Sequence, residues 1–315
     1  MRAFGPVPSR RLGRSLGINN IPAKVCPYSC VYCQVGRTRR LRIGREAFQV
    51  PEELVAEVFA HIARARAHGE SMDYLTFVAD GEPTLDVHLG REIVLLKPAA
   101  IRIAVITNGS LLWRPDVRND LMQADWVSLK VDAVLEEAWR RINRPHRRLD
   151  LATILEGMRE FARCYPGELV TETMLVRGVN DRDEHLEAVA DFLATLRPAK
   201  AYLANPTRPP AEPWVQPPEG AVMAAATKIL RGRLGQVICM TEEAGQAFAS
   251  TGRVAEDLLA ITAVHPMAEE AVEEFLAKNG SDWAVVQSLI EAGQLVQVTY
   301  GGRRYYRRTL AAQSP

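Results

Sequence analysis

From residue 15 to residue 205 the chain repeats one rhythm, a β-rich apolar run ending in a polar or glycine-containing turn and followed by an amphipathic helical stretch. No other feature constrains the fold as strongly. Six strands read this way fall at residues 15–21, 73–79, 101–106, 126–130, 169–176 and 200–204. Between them lie helical patterns such as residues 51–67, with Leu54, Val55, Val58, Phe59 and Ile62 on one face, and 183–196, with Leu186, Val189, Ala190 and Leu193. Strictly alternating strands and helices predict an α/β protein built on a parallel sheet. Six units rather than eight predict a partial (β/α)6 barrel, open on one side, with its chemistry at the C-terminal ends of the strands.

The rhythm stops at residues 206–218, where Pro206, Pro209, Pro210, Pro213, Pro217 and Pro218 prevent regular structure. A helix over 219–234 and a strand over 236–240 are expected to cover the open barrel edge. This makes residues 1–241 one barrel domain with a basic N-terminal segment. Residues 253–309 read differently: three short helical patterns at 253–264, 268–278 and 282–292, then a hairpin at 294–300 and 303–308 around Gly301-Gly302. This order predicts a winged-helix-like module. The two-residue turn opposes Tyr300 with Arg303 and Val298 with Tyr305, and such cations and aromatics suit phosphates and bases. The other reading is a solvated wing on a domain that covers the barrel mouth. The helix over 282–292 has no Lys or Arg, which is wrong for a major-groove recognition helix.

With 47% apolar and 24% charged residues the composition is that of a globular chain, not of a disordered or fibrous one. No run reaches the ~18 apolar residues of a membrane span, and residues 1–17 lack the apolar stretch of a secretory signal, so a cytoplasmic protein with no membrane partner is expected. The net charge of +1 conceals a split. Ten of the 39 Lys and Arg, and none of the 38 Asp and Glu, lie in residues 1–45. That segment suits an anion, although a solvated basic loop explains it equally well.

The five cysteines are odd in number and clustered, which argues against a disulfide framework and for metal binding. Cys26, Cys30 and Cys33 form a C-x3-C-x2-C loop directly after the first strand. Structural zinc wants a fourth ligand, and the next candidates are His61 and Cys164. Three thiolates suit a four-iron cluster with one iron left open. The spacing, with the aromatic Tyr32 before the last cysteine, resembles that of the radical SAM superfamily. The resemblance extends through the barrel, over roughly the first 240 residues.

That resemblance implies a [4Fe-4S] cluster on Cys26, Cys30 and Cys33, and S-adenosylmethionine (SAM) bound by residues at successive strand ends, with Tyr32 beside them. Asp80-Gly81-Glu82-Pro83 is similar to the family's Gly-Gly-Glu-Pro turn, which receives the SAM ammonium, and departs from it at Asp80. Gly81 is expected to let the backbone approach the ligand. Asn108, in Thr107-Asn108-Gly109-Ser110, matches the contacts to the methionyl group. Ser128 and Asp132 match the ribose site with one inserted position, and Val176 and Asn205 the segments near adenine. Read without the family, the same stretches are a strand-to-helix turn and a helix N-cap.

The runs from Gly5 to Gly13 and Asn205 to Pro210 are similar to a subgroup of Fe-S oxidoreductases related to the wyosine-forming tRNA enzymes. The implied activity is reductive cleavage of SAM to a 5′-deoxyadenosyl radical that abstracts hydrogen from a substrate, fed by a one-electron donor of the flavodoxin or ferredoxin class. RNA, a peptide precursor and a small metabolite all stay open as substrate. The rival reading is a non-catalytic iron-sulfur regulator that binds DNA through the winged helix. Arg37, Arg39, Arg40, Arg42 and Arg45 serve either a substrate or the electron donor. His146 is read as a loop hydrogen-bonding residue, and Cys164 and Cys239 as buried free thiols.

Overall fold

The computed structural model describes residues 2–241 and 248–309. It opens with an antiparallel hairpin, β1 (Ala3–Ser9) and β2 (Gly13–Ile18). The sequence reading starts the sheet at residue 15 and places no strand before it, because Pro6 and Pro8 remove ladder donors. β1 is a sheet edge whose register shifts between Phe4 and Val7, the setting in which proline is tolerated. A loop follows with two short parallel strands, β3 (Val25–Cys26) and β4 (Arg40–Leu41).

Helix α1 (Pro51–Ala67) starts on proline at its first position, with Glu52 and Glu53 in the first turn and Arg64 and Arg66 in the last, all favourable to the helix dipole. The alternation then continues through β5 (Tyr74–Phe77), α2 (Leu89–Leu96), β6 (Arg102–Thr107), α3 (Pro115–Leu121) and β7 (Trp126–Lys130). After β7 come two helices, α4 (Glu136–Asn143) and α5 (Leu151–Cys164), then β8 (Glu168–Met174), α6 (Asp183–Leu196), β9 (Lys200–Ala204), α7 (Gly220–Arg231) and β10 (Val237–Met240).

These strands form one sheet in the order β1-β2-β5-β6-β7-β8-β9-β10, parallel throughout except for β1. The six expected strands are present, and β10 adds a seventh parallel one at the edge. On the helix side the main core gathers Leu54, Val58, Leu75, Val105, Leu129, Phe161 and Leu193. On the inner side Leu12, Ala104, Trp126, Val170, Tyr202 and Met240 meet. Leu12 comes from the β1–β2 turn, and Arg10 of the same turn donates to the Met240 carbonyl at 3.0 Å. The turn therefore reaches across from β2 to the far edge strand β10 and fills the opening of the curled sheet.

The C-terminal part comprises α8 (Val254–Val264), β11 (Met267–Ala268), α9 (Glu269–Lys278), α10 (Ala284–Glu291), β12 (Leu295–Tyr300) and β13 (Arg303–Arg308), its sheet ordered β11-β13-β12. The hairpin register pairs Tyr300 with Arg303 and Val298 with Tyr305, as the two-residue turn predicts. This part has its own core of Leu258, Ile261, Val272, Phe275, Val286 and Leu295, yet it is not set apart. Ala260 and Val264 pack on Phe4, Gln34 Nε2 donates to the Val264 carbonyl at 2.8 Å, and the Tyr300 and Tyr305 hydroxyls donate to the carbonyls of Pro206 and Thr207. Tyr305 and Tyr306 are buried, so they offer no free ring face for stacking.

Residues 206–218 contain no helix or strand. Among the described residues no helix is long and apolar enough to cross a membrane. Cys164 and Cys239, expected to be buried, are both exposed. Cys164 is the last residue of α5, and Cys239 sits on the edge strand β10, which no further strand among the described residues covers.

Candidate active site

The cysteine loop is held by α4 and the residues just beyond it. Ser29 and Val31 donate their backbone N–H groups to the carbonyls of Asn143 and Ile142 at 2.9 Å, and His146 donates to the Pro27 carbonyl at 2.8 Å. Tyr28 is buried edge-on against Trp139, whose indole N–H donates to its hydroxyl at 3.1 Å. His146 is thus a loop-anchoring residue, through its main chain.

Each of the three sulfurs meets a donor. The Tyr28 N–H and Asn108 Nδ2 point at Cys26 Sγ (3.4 and 3.3 Å), Asn143 Nδ2 at Cys30 Sγ (3.4 Å) and Lys24 Nζ at Cys33 Sγ (3.5 Å). Burial pushes the Cys30 thiol up to about 12, with the Asp132 carboxylate adding to it, and burial and Glu82 push Cys26 well above the ordinary thiol range. Cys26 and Cys30 therefore stay neutral thiols until a cation displaces their protons, and the donors then stabilise the resulting thiolates. Among the described residues no three His, Cys, Asp or Glu side chains come close enough together to hold a single metal ion. A mononuclear zinc site needs such a group. A cluster instead takes one thiolate at each of three irons and leaves the fourth open, and three thiols in one donor-lined loop fit a four-iron cluster.

Glu82, 2% exposed, lies between two strand-end turns. Its Oε1 accepts from the Thr84 N–H (3.1 Å), the Thr84 hydroxyl (2.7 Å) and the Thr107 hydroxyl (2.6 Å), and its Oε2 accepts from the Asn108 N–H (2.8 Å). Burial raises its pKa and those donors oppose the rise. Asn108 in turn reaches Cys26, so the turn after β5, the turn after β6 and the cysteine loop form one hydrogen-bonded unit. Gly81 belongs to it for a reason the sequence does not show. A Cβ there would lie 2.1 Å from the Val25 carbonyl oxygen and 2.8 Å from Ile21 Cδ1, so the glycine admits the cysteine-bearing strand β3. Asp80 exchanges hydrogen bonds with Asn19 at the end of β2, and burial lifts its carboxyl to about 6.

Asp132, 3% exposed, is a second knot. Its carboxylate accepts from the Tyr32 hydroxyl, from Asn143 Nδ2 (2.8 Å) and from the Met174 N–H (2.9 Å), which ties the cysteine loop to α4 and to the end of β8. Ser128 projects from β7 with its hydroxyl buried and unpartnered among the described residues. The Oδ1 atoms of Asp80 and of Asn205, just past β9, are likewise unpartnered. Such orphaned polar atoms, within β7 at Ser128 and past the ends of β5 and β9 at Asp80 and Asn205, are what a polar ligand would satisfy. The Val176 side chain is wholly buried in the main core and its N–H is held by Asn180 Oδ1 at 2.8 Å.

Sequence reasoning gave no role to Arg11, Lys130, Glu172, Lys24 or Asn143. Lys130 and Glu172 pair directly across β7 and β8. The Glu172 carboxylate takes Lys130 Nζ at 3.0 Å and the guanidinium of Arg11, which burial lowers to about 10. Lys130 also lies 4.7 Å from the Tyr32 ring centroid and 3.6 Å from Asp132. An ionic chain thus runs from the β1–β2 turn through the sheet to the cysteine loop. A Lys and a Glu at the same inward step of adjacent strands were the available signal.

The sequence pattern of the radical SAM superfamily matches residues 20–193. A UPF0026 protein of Methanocaldococcus jannaschii is 46% identical over 313 residues, 99% of this chain and 97% of that one. Among solved structures, a radical SAM methyltransferase from Sphaerobacter thermophilus has a TM-score of 0.53 at 19% identity, over 73% of this chain and 67% of that one. TYW1 with a lysine-pyruvate adduct bound also has a TM-score of 0.53, at 16% identity over 70% and 74%. At these identities the structural likeness is one of fold. With a matching sequence pattern over more than half of its length and a full-length relative, the chain belongs to the radical SAM superfamily, enzymes that use a [4Fe-4S] cluster and S-adenosylmethionine, and within it to the UPF0026 proteins.

Proposed function

We propose that this chain holds a single [4Fe-4S] cluster on Cys26, Cys30 and Cys33, binds SAM at the strand ends beside it, and abstracts hydrogen from a substrate. When bound, the cluster supplies one electron that splits the SAM sulfonium into methionine and a 5′-deoxyadenosyl radical. The observation that carries this reading is the single hydrogen-bonded unit of cysteine loop, Glu82 and Asn108, which puts donors on the sulfurs and fixes two strand ends against them. Glu82 acts by orienting the turn at Gly81 and the Asn108 side chain, since all four of its contacts are to neighbouring turns. The orphaned atoms of Asp80, Ser128 and Asn205 supply polar contacts to the methionyl, ribose and adenine parts. Asp132 and Tyr32 hold the loop in place, and the main chain at Val176 borders the adenine side.

In this reading residues 1–241 form the catalytic barrel of a cytoplasmic oxidoreductase, and the winged-helix-like residues 253–309 help hold a substrate. A flavodoxin or ferredoxin supplies the electron. The test is anaerobic reconstitution with iron and sulfide, followed by dithionite, SAM and chromatographic detection of 5′-deoxyadenosine. About four irons and four sulfides per chain are expected, with 5′-deoxyadenosine formed. A protein that holds one zinc tightly and no sulfide ends the proposal.

A further inference from the structure

We infer that the cavity between the loop after Cys33 and the C-terminal hairpin binds a phosphate ester group of the substrate. The cavity, about 250 Å³, is bounded by Gly36, Arg37 and Arg39 on one side and by Arg307, Arg308 and Thr309 on the other. Two segments some 270 positions apart thus bring four guanidinium groups to one concavity, and among the described residues no carboxylate lines it. Arg37 pairs with Glu212 at 2.8 Å. Arg307 and Arg308, both half-buried, form no ion pair with any described residue. Two half-buried cations that form no ion pair are stabilised by an anion, and the guanidinium fork matches phosphate oxygens in pairs.

The wall opposite Arg307 is bare backbone. Gly36 has φ +92°, in the left-handed region, and Arg307 Nη1 stands 3.8 Å from the point where a Cβ would sit. Beneath that wall the buried Lys24 ammonium donates to the Gly36 carbonyl and to Cys33 Sγ, which makes the cavity wall continuous with the cysteine loop. On the other side Arg308 acts on the buried Asp80 carboxyl, the first residue of the turn after β5, so the cavity borders the barrel mouth. Its size decides between occupants. A protein partner such as an electron donor needs roughly 1,000 Å² of interface, whereas a concavity smaller than the ~300 Å³ of an ordinary ligand pocket encloses a phosphate and part of its ester.

The inference rests on the proposed function only in taking the mouth as the reacting side, and it adds the chemical class of the substrate. The test titrates the cluster-loaded protein with inorganic phosphate, adenosine 5′-monophosphate, adenosine and a twelve-nucleotide single-stranded RNA. Phosphate and the monophosphate should bind and adenosine should not. Arg307→Gln and Arg308→Gln should each weaken binding about tenfold, the double variant further. RNA binding tighter than the monophosphate assigns the group to a phosphodiester chain, and equal or weaker binding assigns it to a free nucleotide or sugar phosphate. Unaltered affinity in the double variant overturns the inference, as does a cavity that ignores phosphate while the double variant slows reduction by flavodoxin. Should the variants fail to fold, phosphate protection of Arg307 and Arg308 from phenylglyoxal, read by mass spectrometry on the unaltered protein, decides the matter, and no protection refutes it. Formation of 5′-deoxyadenosine in the same preparation is scored separately, so a failed phosphate site and a failed radical SAM reading give different results.

Discussion

Glu82 receives four hydrogen bonds from three residues and forms no ion pair among the described residues, so its carboxylate organises two turns at once. Glu82→Ala leaves the Asn108 N–H and the Thr107 hydroxyl without their acceptor. Since a hydrogen bond to a buried charged group is worth about 1.5–3 kcal/mol, SAM binding should weaken at least tenfold while the protein retains about four irons. Calorimetric titration of the reconstituted variant checks this, and an unchanged affinity removes Glu82 from the site. Lys24 carries a different expectation. Its ammonium, 2% exposed, donates to Cys33 Sγ and favours whichever cluster state carries more negative charge. Lys24→Met should therefore lower the cluster midpoint potential, by about 60 mV if about 1.4 kcal/mol of that stabilisation is lost in a one-electron step. Anaerobic spectroelectrochemistry measures it, and an unmoved potential shows that Lys24 serves the loop alone. The cysteines, Glu82 and Asn108 were legible because their spacing is local. Lys24 and Asn143 were not, since a donor to sulfur has no spacing of its own and is identified only by where the chain returns.

At the scale of elements, the turn after β5 and the cysteine-bearing strand β3 touch through Gly81. Gly81→Ala places a methyl 2.1 Å from the Val25 carbonyl oxygen, where backbone must shift, so the variant should lose iron to a chelator several-fold faster than the unaltered protein. Retention at the same rate would show that β3 yields without cost. Glu92 on α2 supplies a pH test. Burial, reinforced by Asp86, lifts its carboxyl to about 8, with Asn20 as its one side-chain donor at 3.3 Å. A carboxyl whose folded pKa lies above its unfolded value keeps its proton in the native state, so its contribution to stability is full below about 4.5 and is lost as the pH rises through about 8. Glu92→Gln should then raise the thermal midpoint at pH 8, by an amount equivalent to a few kcal/mol, with little change at pH 5. A constant difference across that range would contradict the assignment. The barrel strands and most helices could be read from alternation and helical periodicity, which are properties of contiguous residues. β1, β3, β4 and β11 could not, because prolines mask the first and the others have only two residues each.

On the scale of the molecule, the C-terminal part and the barrel share a surface. Val264 and Ala260 bury Phe4, with Val7 and Val78 beside them, and Gln34 in the cysteine loop bonds the end of α8. Removing residues 253–315 should uncover that patch, lower the unfolding midpoint and speed loss of the cluster. Comparison of iron retention and thermal melts decides it, and an unaltered truncated protein would show two independent parts. The split in charge also resolves only here. Of the ten cations in residues 1–45, Arg11 goes into the sheet interior with Glu172, Arg45 joins Asp116 and Asp120, Lys24 lies under Cys33, and Arg37 and Arg39 line the cavity against the hairpin. By itself the sequence determined the alternating α/β architecture, the three-cysteine loop and the strand ends that face it, because each is written in residues close together along the chain. Only the tertiary structure decided which distant donors meet each sulfur, why position 81 must lack a side chain, and that the C-terminal hairpin meets the cysteine loop. Those depend on where the curled sheet brings separate segments together, which no local pattern encodes.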